Sequence, residues 1–383
     1  MSVRRVTIAA VCLLFSLHCL GQDGRGKQAP TTTDWRTFGF SAAGGRYNPL
    51  ETTLTAQNVG SLVVGFQAPA SGSVLSAPVV AGGMAYFTSN DGKIYAVDAA
   101  SGVQVWQKQL PAMPVAISPA VVNGIFYVGA SNYLYALNAS TGANVWRFQA
   151  GNTVNTRPAV ANGIVYFGSN DHRVYAVDAN TGAMIWNYTT GNYVTGSPAI
   201  SNGVVYIGSQ DRYFYALDSN AGTLVWKYGI RTPVTTSAAV ASGTVYVSTN
   251  GGVFALNATT GALVWSQPGL HSVVSPAQAN GVVYVCTAAG DGWALKGSTG
   301  STVWLQSQAC LASDSPAVAN GVIYFGDTFA EVHALRASDG TSLWSYQMDG
   351  GRVSNSSTAV SVVNGMVYVG AQQAQSLYGF KLP

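Results

Sequence analysis

Short segments rich in hydroxyl groups recur between residues 155 and 357, and two of them carry a charge. They read Asn155-Thr-Arg157, Val194-Thr-Gly-Ser197, Thr235-Thr-Ser237, Ser272-Val-Val-Ser275, Ser313-Asp-Ser315 and Asn355-Ser-Ser357. A guanidinium and a carboxylate among hydroxyls can contact an anionic or polar ligand. These segments are expected to surround the central axis of the fold, and the candidate ligand-binding residues at the axis are Asn155, Arg157, Ser197, Thr235, Asp314 and Asn355. The competing interpretation is that Arg157 and Asp314 are solvated or pair with neighbours.

Other residues that often carry chemistry lack a catalytic pattern here. His172, His271 and His333 have no triad or zinc spacing in the sequence, and no phosphate loop or dinucleotide fingerprint occurs. Carboxylates and amides also recur at one position of a repeated turn, which indicates turn capping. That position holds Asp98, Asn138, Asp178, Asp218 and Asn257. No catalytic residue and no metal site are predicted.

A second set of charged segments is predicted to lie farther from the centre of the fold, as a polar rim that suits a binding surface. It comprises Asp91, Asp171-His172-Arg173, Asp211-Arg212, Asp291 and the stretch from Asp327 to Glu331.

A repeat of about forty residues sets the positions of all these groups. Its Tyr column falls at Tyr86, Tyr127, Tyr166, Tyr206, Tyr246, Tyr284, Tyr324 and Tyr368. Its Trp column falls at Trp106, Trp146, Trp186, Trp226, Trp265, Trp304 and Trp344, with steps of 39 or 40 residues. A period in this range indicates stacked structural units, and one large aromatic per unit fills the wedge between neighbours.

Each unit reads as four short β-strands joined by tight turns. In the unit from Pro158 to Thr190, an Asn-Gly pair supplies the positive φ angles of a hairpin, and Asp178-Ala-Asn-Thr-Gly182 forms the next turn. Four-stranded units that repeat in this way close into a propeller, which protects their strand edges.

The counts of eight Tyr and seven Trp positions indicate how the ring closes. The last unit ends before a Trp strand, whereas Gly60 to Ala68 aligns with Gly142 to Ala150 and places Val64 in the Trp column. The N-terminal strand can therefore complete the C-terminal unit. We predict an all-β, eight-bladed β-propeller over residues 62–383, preceded by a lead-in at 22–61.

The first 21 residues have the order of a secretory signal. Arg4 and Arg5 precede an apolar stretch from Val6 to Leu17, and small or polar residues follow. Residues 1–21 are therefore predicted to be removed and the protein to be periplasmic or secreted. Lipid modification of Cys19 is disfavoured by the residues before it. Any membrane association would then be peripheral.

Composition narrows the function further. Charged residues make up 9% of the chain, which excludes a solvated coiled coil. Without Arg4 and Arg5, 16 of the 18 basic residues remain against 15 acidic ones, so no nucleic-acid surface is expected.

Cys286 and Cys310 are the cysteines beyond the signal, and strand direction puts both on one face. We predict a disulfide that fixes the loop from Ala309 to Ser315.

These columns, in particular Tyr-Ala-Val-Asp178-Ala-Asn-Thr-Gly182 followed by Trp186, resemble the pyrroloquinoline quinone (PQQ) type propeller repeat. One branch of that family comprises PQQ-dependent alcohol and glucose dehydrogenases. The other is the non-catalytic propeller lipoprotein of the bacterial outer-membrane assembly (Bam) machine. The segments Trp35-Arg-Thr-Phe-Gly-Phe, Arg46-Tyr-Asn-Pro-Leu50 and Asn58-Val-Gly-Ser-Leu62 resemble the lead-in of the dehydrogenases.

The dehydrogenase branch uses adjacent cysteines to clamp the quinone, and this sequence has no Cys-Cys pair. The resemblance therefore assigns neither calcium ligands nor a catalytic Asp. It implies a monomeric, non-catalytic binding or assembly scaffold without a cofactor, whose partners are envelope proteins or a small polar ligand. The alternative is a PQQ- and Ca2+-dependent dehydrogenase that oxidises alcohols or sugars.

Overall fold

The computed structural model describes residues 34–74, 76–111, 117–272, 274–308, 310, 315–348 and 358–383. Its strands form eight antiparallel four-stranded blades, and in seven of them the strands follow the chain from the inner to the outer strand. The first four blades are β3 to β6 (Val79–Ala81, Met84–Thr88, Lys93–Asp98, Gln104–Gln109), β7 to β10 (Ala120–Val122, Ile125–Ala130, Tyr133–Asn138, Asn144–Gln149), β11 to β14 (Ala159–Ala161, Ile164–Gly168, Arg173–Asp178, Met184–Thr189) and β15 to β18 (Ala199–Ser201, Val204–Gly208, Tyr213–Asp218, Leu224–Gly229).

The other four blades follow in the same order, except that the last takes its outer strand from the start of the chain. They are β19 to β22 (Ala239–Ala241, Thr244–Thr249, Gly252–Asn257, Leu263–Gln267), β23 to β26 (Ala277–Ala279, Val282–Cys286, Gly292–Lys296, Thr302–Gln306), β27 to β30 (Ala317–Ala319, Val322–Gly326, Glu331–Arg336, Ser342–Gln347) and β31 to β33 (Ser361–Val363, Met366–Ala371, Ser376–Lys381) with β2 (Val63–Pro69).

The predicted eight-bladed propeller is confirmed. The first strands of successive blades contact one another in a closed ring, in which β31 returns to β3. The remaining elements are the two-residue strand β1 (Tyr47–Asn48), which pairs parallel to β27, and a 3-10 turn at Val59–Ser61. No helix in the described part of the chain is long and apolar enough to cross a membrane.

The repeated turns have the geometry that their residues predict. In blade 3, Asn162 and Gly163 have φ angles of 51° and 76°, the left-handed values of a two-residue hairpin. Gly182, with φ 72°, lies against the indole of Trp146 from the preceding blade. A Cβ at residue 182 would stand 2.6 Å from that ring, so only glycine allows this close packing.

The Tyr and Trp columns tie each blade to the next. At the first junction, the Trp106 indole N–H and the Tyr86 hydroxyl both donate to the carbonyl of Ala139, at 2.9 and 3.2 Å. The same pair of hydrogen bonds recurs at every junction as far as blades 6 and 7. The aromatic columns are therefore structural, as predicted.

The register of the closing strand differs from the sequence alignment. Phe66, not Val64, stands opposite Gly379, just as Trp186 stands opposite Ala176 in blade 3. Phe66 also packs on Gly102 of blade 1, as Trp146 packs on Gly182. The expectation that Val64 fills the Trp column is wrong by two residues. A shift of two keeps every side chain on the same face of the strand, so the alternation of residues could not reveal it.

Candidate functional site

Residues 34–48 of the lead-in lie against the ring of inner strands. We call residues 34–48 the axial loop. Six blades donate the N–H of the middle residue of their first strand to a carbonyl of this loop, at 2.7–2.9 Å. The donors are Val80, Val121, Ile200, Val240, Gln278 and Val318, and the acceptors are Trp35, Arg36, Ala42, Ala43, Gly45 and Arg46. The axial loop therefore fills the centre of the propeller, where ligands of such folds are expected.

Arg46 holds this loop in place. Its side chain is fully buried, and its guanidinium donates to the carbonyls of Pro316 and Phe38 at 2.6 Å and of Val360 at 2.7 Å. The guanidinium carbon also lies 4.2 Å from the centre of the Phe38 ring. A planar guanidinium can donate in several fixed directions at once, which an ammonium cannot. Arg46 thereby links the loop to blades 7 and 8.

Two of the predicted ligand-binding residues, Arg157 and Ser197, meet beside the axial loop. The backbone N–H of Arg157 donates to Ser197 Oγ at 3.0 Å, and the Arg157 guanidinium stacks on Phe38 at 3.6 Å from the ring centre. Both residues line a cavity of about 20 Å³, together with Thr37, Phe38 and other residues of the axial loop. That volume holds one or two water molecules.

The other predicted residues are spread over several positions. Asn155 is half-buried and Thr235 is exposed. Asp314 and Asn355 lie outside the described residues. The structure therefore brings Arg157 and Ser197 together, and it does not bring Thr235 into the same cavity.

The predicted hydroxyl-rich segments mostly join neighbouring blades. Ser275 Oγ accepts the N–H of Ser237, and Ser315 Oγ accepts the N–H of Ser275, both at 2.9 Å. Ser118 and Ser197 accept corresponding bonds from Ala77 and Arg157. These serines satisfy backbone groups at the start of the inner strands, which is a structural use of the hydroxyls.

A site for PQQ and Ca2+ needs oxygen ligands for the ion and a pocket large enough for the quinone. Calcium takes about six to eight oxygen ligands, commonly including carboxylates, and a cofactor pocket usually measures roughly 300 Å³ or more. Within the predicted axial segments, the described residues supply Arg157 as a charged group and no carboxylate. The described cavity is about 20 Å³ because the axial loop occupies the space. The described residues of these segments therefore supply no carboxylate for Ca2+, and the cavity beside Arg157 has no room for the quinone.

The predicted polar rim has a repeated structural role in three blades. Asp91, Asp171 and Asp211 each accept a hydrogen bond from the tyrosine hydroxyl four residues later, at 2.5–2.6 Å. Burial and the bond to Asp171 raise the pKa of Tyr175, and Tyr95 and Tyr215 shift in the same direction. These carboxylates hold the loop between the second and third strands in a fixed form.

Blade 7 departs from this pattern. His333 replaces the tyrosine, and its Nε2 lies 3.2 Å from Asp327 Oδ2. Glu331 completes a group whose potential ligand atoms all lie within 4.8 Å of one another. Burial raises the pKa of Asp327, but hydrogen bonds from His333 and from the N–H groups of Glu331 and Phe329 outweigh burial and hold the pKa below its usual value.

The arrangement of these three side chains is compatible with a metal ion, and the expectation of no metal site at His333 stays a prediction. The sequence signal for this cluster is the Asp-x-x-x-Glu-x-His order, combined with a histidine at the position that holds Tyr95, Tyr175 and Tyr215 in other blades.

Cys286 and Cys310 form a disulfide, with a Cα–Cα distance of 5.5 Å. Cys286 ends β24, and the Cys310 N–H donates to the Gly290 carbonyl at 2.9 Å. The bond thus fixes the chain after β26 against the loop that leads into β25. The residues between Cys310 and Ser315 lie outside the described part of the chain.

Comparison with known proteins places this architecture among relatives. A family model described as outer membrane protein assembly factor BamB matches residues 51–132, 90–238 and 210–380. A 1-butanol dehydrogenase (cytochrome c) from Thauera butanivorans is 30% identical over 106 residues, which span 27% of this chain and 14% of that protein. The chain thus covers a small part of that enzyme's length.

Solved structures on both branches share the fold. BamB from Moraxella catarrhalis superposes with a TM-score of 0.71 and 20% identity, covering 84% of this chain and 97% of that one. The quinohemoprotein alcohol dehydrogenase from Comamonas testosteroni superposes with a TM-score of 0.76 and 17% identity, covering 91% of this chain and 80% of that one. A europium-containing methanol dehydrogenase superposes with a TM-score of 0.78 and 14% identity, covering 92% of this chain and 99% of that one. Because the family model matches most of the sequence, this chain belongs to the PQQ-type propeller family described as outer membrane protein assembly factor BamB.

Proposed function

We propose that this protein is an exported, non-catalytic scaffold of the cell envelope that binds protein partners through its rim loops. The observation that carries the proposal is the axial loop, which occupies the centre of the ring with six backbone hydrogen bonds and the buried Arg46. A propeller whose centre is occupied by its own chain presents its rim for binding. The signal-like segment at residues 1–21 supports export, and the protein is expected to act as a monomer.

The rim carries residue types that suit such a surface. Tyr193, Tyr213 and Phe329 are 41%, 39% and 40% exposed, and the neighbouring Arg173 and Arg212 are exposed as well. Tyrosine and arginine are enriched where protein interfaces derive most of their binding energy. The loops that carry Tyr193 and Arg212 are joined by a hydrogen bond from the N–H of Gln210 to the carbonyl of Tyr193, 2.9 Å long. They therefore form one connected surface on blade 4.

Site-specific photocrosslinking in cells tests this surface. A photoreactive aromatic amino acid at position 193 or 213 should capture a discrete envelope protein. The same group at Asn220, in an exposed turn at the other end of the blade, is the matched control and should capture none. Equal capture from all three positions, or none from the rim, would contradict a rim-mediated scaffold.

The second candidate is a PQQ-dependent dehydrogenase, which the similarity to the 1-butanol dehydrogenase favours. Calorimetric titration of the purified protein with PQQ, with and without Ca2+, separates the two functions. The scaffold proposal expects no saturable heat. Tight, calcium-dependent binding that is lost in Arg157→Ala would favour the enzyme, and alcohols and sugars would then be screened with an artificial electron acceptor.

A further inference from the structure

Blade 7 rebuilds one corner of the repeat with different chemistry. In blade 3, Tyr175 stands opposite Phe167 and donates to Asp171. In blade 7, His333 takes the tyrosine position opposite Phe325. Asp327 takes the position of Ser169, since its N–H donates to the carbonyl of Glu331 as that of Ser169 donates to Arg173. An imidazole and a carboxylate have thus replaced a phenol and a hydroxyl. Glu331 begins the same strand as His333, two residues before it.

We propose that Asp327, Glu331 and His333 form a binding site for a divalent transition-metal ion such as Zn2+. Their ligand atoms lie within 4.8 Å of one another, and Asp327 Oδ2 and His333 Nε2 are 3.2 Å apart. Zinc bonds of ~2.1 Å in tetrahedral geometry separate two ligand atoms by about 3.4 Å. The Asp–His distance is already close to that value. The half-buried Glu331 carboxylate offers the third ligand atom within 4.8 Å of the other two.

The surroundings hold two of the three ligands in position. Asp327 Oδ1 accepts the N–H groups of Phe329 at 2.8 Å and Glu331 at 2.7 Å, which turns Oδ2 toward the histidine. The His333 ring stacks on Phe325, with centroids 4.9 Å apart and planes 20° from parallel. Such outer contacts orient metal ligands before the ion arrives.

The site is also open to an arriving ion. The His333 side chain is 21% exposed, and that of Asp327 is 5% exposed. One imidazole nitrogen with two carboxylates suits zinc and similar ions, whereas magnesium and calcium favour oxygen ligands. Three protein ligands leave a fourth position for water or for a group on a partner.

The test is calorimetry and thermal unfolding of the full mature chain with Zn2+ alone, with Mg2+ and Ca2+ for comparison. The expected result is one Zn2+ per chain, a raised melting temperature and much weaker binding of the other two ions. Glu331→Gln and His333→Tyr should each weaken Zn2+ binding by about 10- to 100-fold. Both variants should fold, because glutamine is isosteric with glutamate and tyrosine is the residue of blades 1 to 4 and of blade 8 at this position.

His172→Asn is the matched control, since His172 belongs to the corresponding rim loop of blade 3 and has a left-handed φ of 72° that asparagine accepts. It should leave the binding unchanged. Absence of Zn2+ binding to the folded protein, or binding that survives in Glu331→Gln and His333→Tyr, would overturn the proposal. The outcome is independent of whether PQQ or a partner protein binds elsewhere.

Discussion

The guanidinium of Arg46 donates to the carbonyl of Val360, 314 residues further along the chain, at 2.7 Å. This bond joins the axial loop to the blade that closes the ring, on a side chain that is fully buried. The lead-in is therefore part of the core of the fold, and its own interactions hold the centre of the propeller closed.

Replacing this arginine should destabilise the whole propeller. Arg46→Met leaves the carbonyls of Phe38, Pro316 and Val360 without their donor. Each unsatisfied buried polar group costs about 1–3 kcal/mol, so the free energy of unfolding should fall by about 3 kcal/mol or more. Urea denaturation measures this change.

The control for that variant is Arg173→Met on the exposed rim, which should change stability by less than about 0.5 kcal/mol. Equal stability of the two variants would show that Arg46 does not anchor the axial loop.

The corrected register of the closing strand gives a second prediction. Phe66 is 8% exposed and fills the aromatic slot between blades 8 and 1, whereas Val64 is 36% exposed. Phe66→Ala should lower the free energy of unfolding by about 3–5 kcal/mol, the usual cost of removing a buried aromatic ring. Val64→Ala, the matched control in the same strand, should cost less than about 1 kcal/mol by denaturant unfolding. A larger loss of stability in Val64→Ala than in Phe66→Ala would mean that Val64 fills the space between blades 8 and 1.

The fold could be predicted because its determinants repeat. An Asn-Gly hairpin, a Tyr and a Trp recur in nearly every unit, so errors in one blade are corrected by the others. The closing strand shows the limit of this reasoning. It has no Trp to mark the register, and a shift by two residues preserves the pattern of buried and exposed positions.

The site could be predicted less well because its main features do not repeat. The axial loop bonds to the blades through backbone carbonyls, and these carry no residue-type signal. Arg46 was visible in the sequence only as part of a resemblance. The Asp327–His333 contact joins two different columns of the repeat, so each residue alone looked like a rim residue. Arg157 and Ser197 could be placed near the axis because the segments that contain them recur at the same point of each repeat.

The acidic residues of the repeated turn predict a dependence of stability on pH. Hydrogen bonds from the Ser101 hydroxyl and N–H hold the pKa of Asp98 below its usual value. Because the folded pKa is lower than the unfolded one, the carboxylate stabilises the protein at neutral pH, and this stabilisation is lost as the pH falls below about 4. Asp98→Asn should keep the turn, since Asn138 accepts the equivalent bonds from Ser140 and Thr141 in blade 2 at 3.0 Å.

Urea unfolding between pH 2 and pH 7 measures the effect. The stability of Asp98→Asn should fall less steeply with acid than that of the wild type, and Asn138→Asp should fall more steeply. Parallel curves for all three proteins would mean that the turn carboxylates do not contribute to the acid sensitivity.

The Cys286–Cys310 disulfide should stabilise the folded protein when it is isolated from an oxidising compartment. The linked residues are 24 positions apart, and a loop of that size constrains the unfolded chain by about 3 kcal/mol. Reduction should lower the free energy of unfolding by that amount. The double variant Cys286→Ala/Cys310→Ala should start lower and not respond to the reductant. Mass spectrometry after thiol alkylation without reduction should detect no label on either cysteine. Two labelled thiols in the folded protein would contradict the bond, and the chain after β26 would then lack its covalent link to the loop before β25.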